Sequence, residues 1–231
     1  MPSDLELIGT CALFRGLPPA AIAELGAAAA VERFEKKVLL FHEGEPARAL
    51  WMLRAGRLKL TKLGGNGQEI VVRFLIPGDP FGAIAILAGA RYPVSAEAVE
   101  ACEAFSWTPA DVAALVERYP AIGMNSARVM SERMQELQER YRELATERVA
   151  QRVARAILRL ARQTGRRVEG GVLLDLPLSR QDLAELTGTT LFTISRTLSE
   201  WEQQGLVELG RERVLIKSPH GLVTIAEDLP S

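Results

Sequence analysis

Polar and apolar positions change rhythm near Pro120, and the change divides the chain into parts of different kind. Before about Glu103, Arg57-Leu58-Lys59-Leu60 alternates polar and apolar residues, the period of a half-buried strand. Ile70-Val71-Val72-Arg73-Phe74 reads as another strand. Between the two, Asn66-Gly67 tolerates positive φ at both central positions and predicts a hairpin. Gly44, Gly56, Gly64-Gly65, Gly78 and Gly82 punctuate the region, and Pro77-Gly78-Asp79 supplies a further turn. Several short strands at this spacing predict a β-roll or barrel over residues 1–118.

After Pro120, Gly123, Ala127, Met130, Met134, Leu137, Tyr141 and Leu144 recur at alternating steps of four and three. That is an a/d heptad seam flanked by Arg and Glu, and it predicts a long helix over 119–145. So narrow a seam suits dimerisation better than burial on its own domain, where a broader apolar stripe is needed. Ile122 and Val129 lie off the seam and are expected to pack on the roll. A second helix is expected over Thr146–Gly165, with Thr146 as N-cap and Gly165 as a C′ stop. Val149, Val153, Ala156 and Leu160 form its apolar stripe. Arg148, Arg152, Arg155, Arg159 and Arg162 line another face, read as solvated in preference to phosphate-facing. Gly170-Gly171 then precedes the apolar run Val172-Leu173-Leu174, and residues 146–231 form the last domain.

Within that domain, Leu178–Leu198 carries the most information. Ser179 with Asp182 resembles a capping box that opens a short helix. Ala184 is small where a second helix must cross, and Gly188 stands where the turn wants positive φ. Thr190 caps a second helix whose Ile194 and Leu198 point inward. Helix, glycine turn and helix in this span is the helix-turn-helix plan, whose second helix offers its N-terminal residues to base edges in the major groove. Those residues are Leu191, Phe192, Ser195 and Arg196, with Arg196 suited to bidentate contact with guanine. Ser179, Arg180, Gln181, Thr190 and Thr193 are placed for the phosphate backbone. Val207-Glu208-Leu209 and Arg213-Val214-Leu215-Ile216, joined through Gly210-Arg211-Glu212, predict a two-stranded wing.

Composition constrains this reading. The 231 residues are 48% hydrophobic and 25% charged, with a net charge of −1, so DNA affinity must come from local arrangement. Glu200 and Glu202 on the recognition helix lower the expected backbone affinity per subunit, which a dimer would double in phosphate contacts. No apolar run is long enough to span a membrane. Met1-Pro2-Ser3-Asp4 lacks a basic, apolar leader, so a cytoplasmic location is expected. With no Gly-x-Ser-x-Gly, phosphate loop or metal-ligand spacing, no enzymatic activity is expected.

From Leu13-Phe14 to Ile216 the chain resembles the CRP/FNR superfamily of bacterial transcription regulators. The resemblance is carried by Phe41-His42-Glu43-Gly44-Glu45-Pro46-Ala47, Leu53-Arg54-Ala55-Gly56-Arg57-Leu58-Lys59-Leu60, Pro77-Gly78-Asp79-Pro80-Phe81-Gly82 and the helix-turn-helix. It implies an α+β chain: an N-terminal double-stranded β-helix (jelly-roll) domain of cyclic-nucleotide-binding type, a dimerisation helix and a winged helix-turn-helix. It further implies a homodimer on near-palindromic double-stranded promoter DNA, RNA polymerase as partner, and an effector in the roll. The candidate effector pocket is Phe81, Gly82, Ala83, Ile84, Val94, Ser95 and Ala96. Two departures stand out. Ala83 occupies the place of the Glu that meets the ribose hydroxyl in cyclic-nucleotide binders, and the phosphate-pairing Arg falls in Pro93-Val94, with Arg91 earlier. The resemblance thus argues against cAMP and leaves nitrogen oxides, redox state, another small signal, or no effector, with Ile84 and Ile86 filling the pocket. At the base-reading positions Leu191 and Phe192 replace the family's usual polar residues, so a half-site other than the TGTGA or TTGAT core is expected. A helix-turn-helix turned to protein docking is the alternative class.

No cofactor is expected. Cys11 and Cys102 are too few for an iron–sulfur cluster, which needs about four thiolates. For haem, the candidate ligands are His42, Cys11, Cys102, the methionines and Pro2. Carbon-monoxide-sensing relatives place Cys and His where this chain has Ala85-Ile86-Leu87. His42 reads as a strand-end surface histidine, and zinc has no supporting spacing.

Overall fold

A computed structural model describes residues 3–65 and 67–229. Asn66 of the expected turn and Pro2 of the haem candidates lie outside the described residues. The N-terminal part runs α1 (Asp4–Thr10), α2 (Pro19–Ala28), β1 (Ala30–Phe34), β2 (Leu39–Phe41), β3 (Leu50–Ala55), β4 (Leu58–Leu63), β5 (Glu69–Leu75), β6 (Pro80–Phe81), α3 (Ala83–Leu87), β7 (Ser95–Ala98), β8 (Cys102–Trp107) and α4 (Pro109–Arg118). Its strands form two four-stranded sheets, ordered β1-β8-β3-β6 and β2-β7-β4-β5, which is the jelly roll expected.

Period-two alternation decides which core each strand serves. In β3, Trp51 and Leu53 enter the cluster inside the roll, with Leu58, Ala96 and Ala98 from the facing sheet. Leu50 and Met52 enter a second cluster against the helices, with Phe14, Trp107, Leu115 and Ile122. The sheet containing β3 is therefore apolar on both faces.

The long helix, α5 (Ala121–Thr146), begins two residues after the expected start and runs one residue past the expected end. Ile122 is buried and Val129 half-buried in the helix-side cluster, as expected. The Asn125 side-chain amide adds a polar anchor, donating to the carbonyls of Leu13 (3.1 Å) and Arg15 (2.9 Å). The chain forms two compact units. The first holds the roll and α5 up to Leu137; the second joins Leu63–Val71 to everything from Gln138 onward. The division between the two units falls inside the long helix.

The second unit continues with α6 (Val149–Thr164), β9 (Gly165–Val168), β10 (Gly171–Leu174), α7 (Arg180–Thr187), α8 (Leu191–Gln203), β11 (Val207–Gly210), β12 (Arg213–Ile216) and α9 (Pro219–Ala226). One expectation fails here. Thr146 does not cap the following helix: it is the last residue of α5, and its hydroxyl donates back to the Arg142 carbonyl at 2.9 Å. The residue at the N-cap of α6 is Arg148, whose N–H is accepted by the Gln151 side chain. Gly165 does stop the helix, as its C-cap, with φ −68°. It opens β9, and a Cβ there would lie 2.2 Å from the Ala161 carbonyl oxygen, so closeness rather than chain reversal requires glycine. The wing strands belong to a four-stranded sheet, β11-β12-β10-β9.

Candidate nucleic-acid interface

Local capping chemistry builds the helix-turn-helix. The Ser179 hydroxyl accepts the Asp182 N–H (3.0 Å), and the Asp182 carboxylate accepts the Ser179 N–H (3.2 Å), closing the box that starts α7. Gly188 ends α7 in the left-handed region at φ 63°, its N–H bonded to the Ala184 carbonyl. Thr190 then caps α8, its hydroxyl oxygen accepting the Thr193 N–H at 3.2 Å. Ser179 and Thr190 thus serve first as structural caps.

Helical spacing sorts the residues of α8. Ile194, Thr197, Leu198 and Trp201 are buried. Phe192 and Arg196, four apart, share the outer face with the half-buried Ser195 between them. Phe192 is 75% and Leu191 47% exposed, large apolar groups held out into solvent at the start of the helix. Arg196 forms a loose, exposed ion pair with Glu200 at 3.7 Å, and Thr193 is half-buried. Glu202 points elsewhere: its carboxylate accepts the Leu209 N–H at 2.9 Å and braces the wing. The charge opposing DNA on this helix is thus smaller than composition suggests.

A groove of about 470 Å³ runs between the start of α7, α8 and the wing turn. Buried Leu178, Leu183, Leu198 and Val214 floor it, while exposed Arg180, Gln181, Arg211 and Arg213 stand along it. Sequence reasoning treated Arg211 and Arg213 only as parts of the wing. Two arginines flanking a hairpin turn are the signal in the sequence that marks them as candidates for phosphate contact.

In the arginine row of α6, Arg148 and Arg162 are exposed as a solvated face requires, but the three between them are engaged within the protein. Arg155 pairs with Glu147 (3.1 Å) and Glu227 (3.0 Å), and Arg159 pairs with the buried Glu143. Arg152 bonds backbone carbonyls. The expected dimer seam is exposed along its length in the single chain: Ala127, Met130, Met134, Leu137, Tyr141 and Leu144 all face solvent, Tyr141 at 76%.

In the candidate effector region, Phe81 and Ala96 are buried in the roll core, Gly82, Ala83, Val94 and Ser95 are half-buried, and Ile84 is 44% exposed. Ile84 and Ile86 therefore do not fill a common pocket. They sit two apart on α3, so they take different faces, and Ile86 joins the helix-side cluster. Residues 43–47 instead strap residues 90–95. Tyr92 N–H donates to the Glu45 carbonyl (2.9 Å), Gly44 N–H to the Tyr92 carbonyl (2.8 Å), and Glu43 N–H to the Ser95 hydroxyl (2.9 Å). The Arg91 guanidinium is committed to the Gly44 carbonyl at 2.7 Å. Beneath this strap Tyr92 is buried, its ring stacked on Phe41 with centroids 3.7 Å apart. Its hydroxyl accepts from the Arg48 and Ala49 N–H groups (both 3.1 Å) and the Trp51 indole N–H (3.2 Å), and donates to the Ala49 carbonyl (2.9 Å).

The haem candidates are scattered. His42 is exposed beyond β2, while Cys11 and Cys102 are buried in different clusters. Burial pushes the Cys11 thiol up to about 12 and the Cys102 thiol up to about 11. Among the described residues no group of three His, Cys, Asp or Glu side chains is arranged to hold a metal ion, and no helix is long and apolar enough to cross a membrane.

The cyclic nucleotide-binding domain family matches residues 31–119, and the Crp-like helix-turn-helix domain matches residues 151–225. A cyclic AMP receptor protein of Thermus thermophilus is 30% identical over 219 residues, covering 93% of this chain and 96% of that protein. A global nitrogen regulator of Synechococcus elongatus is 29% identical over 201 residues, covering 83% and 87%. Among solved structures, FixK2 from Bradyrhizobium japonicum superposes with a TM-score of 0.76 at 23% identity, covering 85% of this chain and 96% of that one.

Proposed function

The chain belongs to the CRP/FNR family of transcription regulators, and from that premise we propose that it binds near-palindromic promoter DNA as a homodimer without responding to cAMP. The family is non-enzymatic and reads DNA through its helix-turn-helix. What carries the reading for this chain is the outer face of α8, where exposed Phe192 and Arg196 flank the half-buried Ser195. Arg196 supplies a fork for guanine O6 and N7, and the apolar Leu191 and Phe192 suit thymine methyl groups. The half-site therefore departs from the TGTGA and TTGAT cores at the bases that Leu191 and Phe192 face. The Arg196–Glu200 pair offers little resistance, because an exposed ion pair contributes only about 0–1 kcal/mol.

Replacing Arg196 with Ala is expected to weaken operator binding by about 1–3 kcal/mol, with much less change on unrelated DNA. Fluorescence anisotropy at fixed salt, with both duplexes, measures this. Equal affinity and selectivity in the variant would remove α8 from the major groove.

The effector reading rests on three side chains. Ala83 offers no acceptor to a ribose hydroxyl, Arg91 is committed to the Gly44 carbonyl, and the Ser95 hydroxyl is already engaged by Glu43 N–H. Losing two charge-assisted bonds at about 1.5–3 kcal/mol each lowers cyclic-nucleotide affinity by about a hundredfold or more. Calorimetric titration with micromolar cAMP is expected to give no binding isotherm; saturable micromolar binding would overturn this. Haem and iron–sulfur clusters are not part of the proposal, given the separation of the candidate ligands. Transcription control through RNA polymerase and a cytoplasmic location follow from the proposed role.

A further inference from the structure

Arg152 lies in the first turn of α6, and its guanidinium joins three backbone carbonyls from separate places. Nε donates to the carbonyl of Thr187 at 3.1 Å, Nη1 to that of Glu147 at 2.9 Å and Nη2 to that of Gly188 at 3.4 Å. Glu147 follows the last residue of the long helix α5. Thr187 is the last residue of α7, and Gly188 is the turn of the helix-turn-helix. One cation therefore meets carbonyls at the ends of two helices, where free carbonyls and the negative end of the helix dipole favour positive charge. The planar guanidinium holds its donors in fixed directions, so it sets an angle between the parts it joins; a flexible ammonium does not.

Two neighbouring features act in the same direction. A Cβ on Gly188 would lie 2.9 Å from Leu144 Cδ2, so the helix-turn-helix turn sits against the Leu144 side chain in the last full turn of α5. The end of α5 is also fastened to α6 by Glu143–Arg159 and Glu147–Arg155. These acids are largely buried, and a buried ion pair acts through geometry more than through net stability.

We propose that Arg152 is a positioning residue for DNA recognition: it sets the angle at which α7 and α8 leave the end of α5, and so determines the half-site separation the protein accepts. This rests on the reading of the chain as a dimeric DNA-binding regulator. In such a dimer the distance between recognition helices must match about one helical turn of DNA, so a looser attachment spreads binding over neighbouring separations.

The test uses full-length protein and duplexes carrying the half-sites that the wild type selects from a randomised library, with the separation varied one base pair at a time. Wild type is expected to favour one separation by tenfold or more over its neighbours. Arg152→Lys keeps the charge but cannot span three carbonyls, and Arg152→Met removes it. Both are expected to flatten the preference to a few-fold, Lys less than Met, while Lys keeps the wild-type melting temperature. An unchanged separation profile in Arg152→Lys and Arg152→Met overturns the proposal. So does a uniform loss of affinity at every separation that tracks a lowered melting temperature. If wild type itself selects no duplex, or shows no preferred separation, the dimeric-regulator reading fails and the positioning role goes with it.

Discussion

A Leu137→Glu protein is expected to sediment as a monomer and to bind operator DNA about 10²–10⁴-fold more weakly than the parent, the range by which linking two sites raises avidity. Leu137 is 52% exposed in the single chain, on a stripe continuing through Met130, Met134, Tyr141 and Leu144. A monomeric helix gains nothing from holding five large apolar groups in water, and the heptad spacing gives them a matching stripe on a second copy. On a two-fold axis a single substitution places two carboxylates near each other in an apolar seam, where neither finds a partner. Sedimentation velocity reports the assembly, and anisotropy on one half-site against two reports the avidity. A variant that stays dimeric with unchanged operator affinity would show that α5 is not the dimer contact. Single-half-site affinity should barely change, since Phe192 and Arg196 are untouched.

The second large effect concerns Tyr92. Tyr92→Phe keeps the ring stacked on Phe41 but removes the oxygen that serves Trp51 Nε1, the Arg48 and Ala49 N–H groups and the Ala49 carbonyl. Buried polar groups left without partners cost about 1–3 kcal/mol each. Water can reach some of them, so a net loss of about 2–4 kcal/mol is expected, lowering the melting temperature of the roll by about 8–16 °C. Calorimetric unfolding measures it directly. A variant that melts with the parent would mean the hydroxyl bonds are replaced by solvent and the strap over residues 90–95 is held by backbone alone.

The sequence was most informative wherever the physics is local. The Ser179–Asp182 box, the left-handed Gly188 and the Thr190 cap each involve residues within four positions, and all formed as expected. The seam of α5 was legible for the same reason, since its period is a property of one helix. Expectations failed where distant partners intervene. The arginines of α6 read as solvated because Glu143, Glu147 and Glu227 come from other elements. Thr146 suits an N-cap equally well as a helix-terminal residue, and the choice went to its bond with the Arg142 carbonyl. Gly165 stops the helix as expected, but only the neighbouring Ala161 carbonyl distinguishes a close approach from a left-handed residue there. Ile84 and Ile86 were grouped as pocket fillers on apolarity alone, whereas the five-residue helix α3 turns them apart. The role of the Tyr92 hydroxyl is not legible in sequence, because its partners lie more than 40 positions away.

The burial of both cysteines closes one route of chemical signalling. A thiol titrating near 11 is about one part in 10⁴ ionised at neutral pH, and the thiolate is the form that peroxide, nitrosating agents and alkylating reagents attack. Cys11, higher still, is less reactive again. Oxidants therefore have little access to the protein through its two thiols, and air carries little risk of cross-linking the folded protein through these side chains.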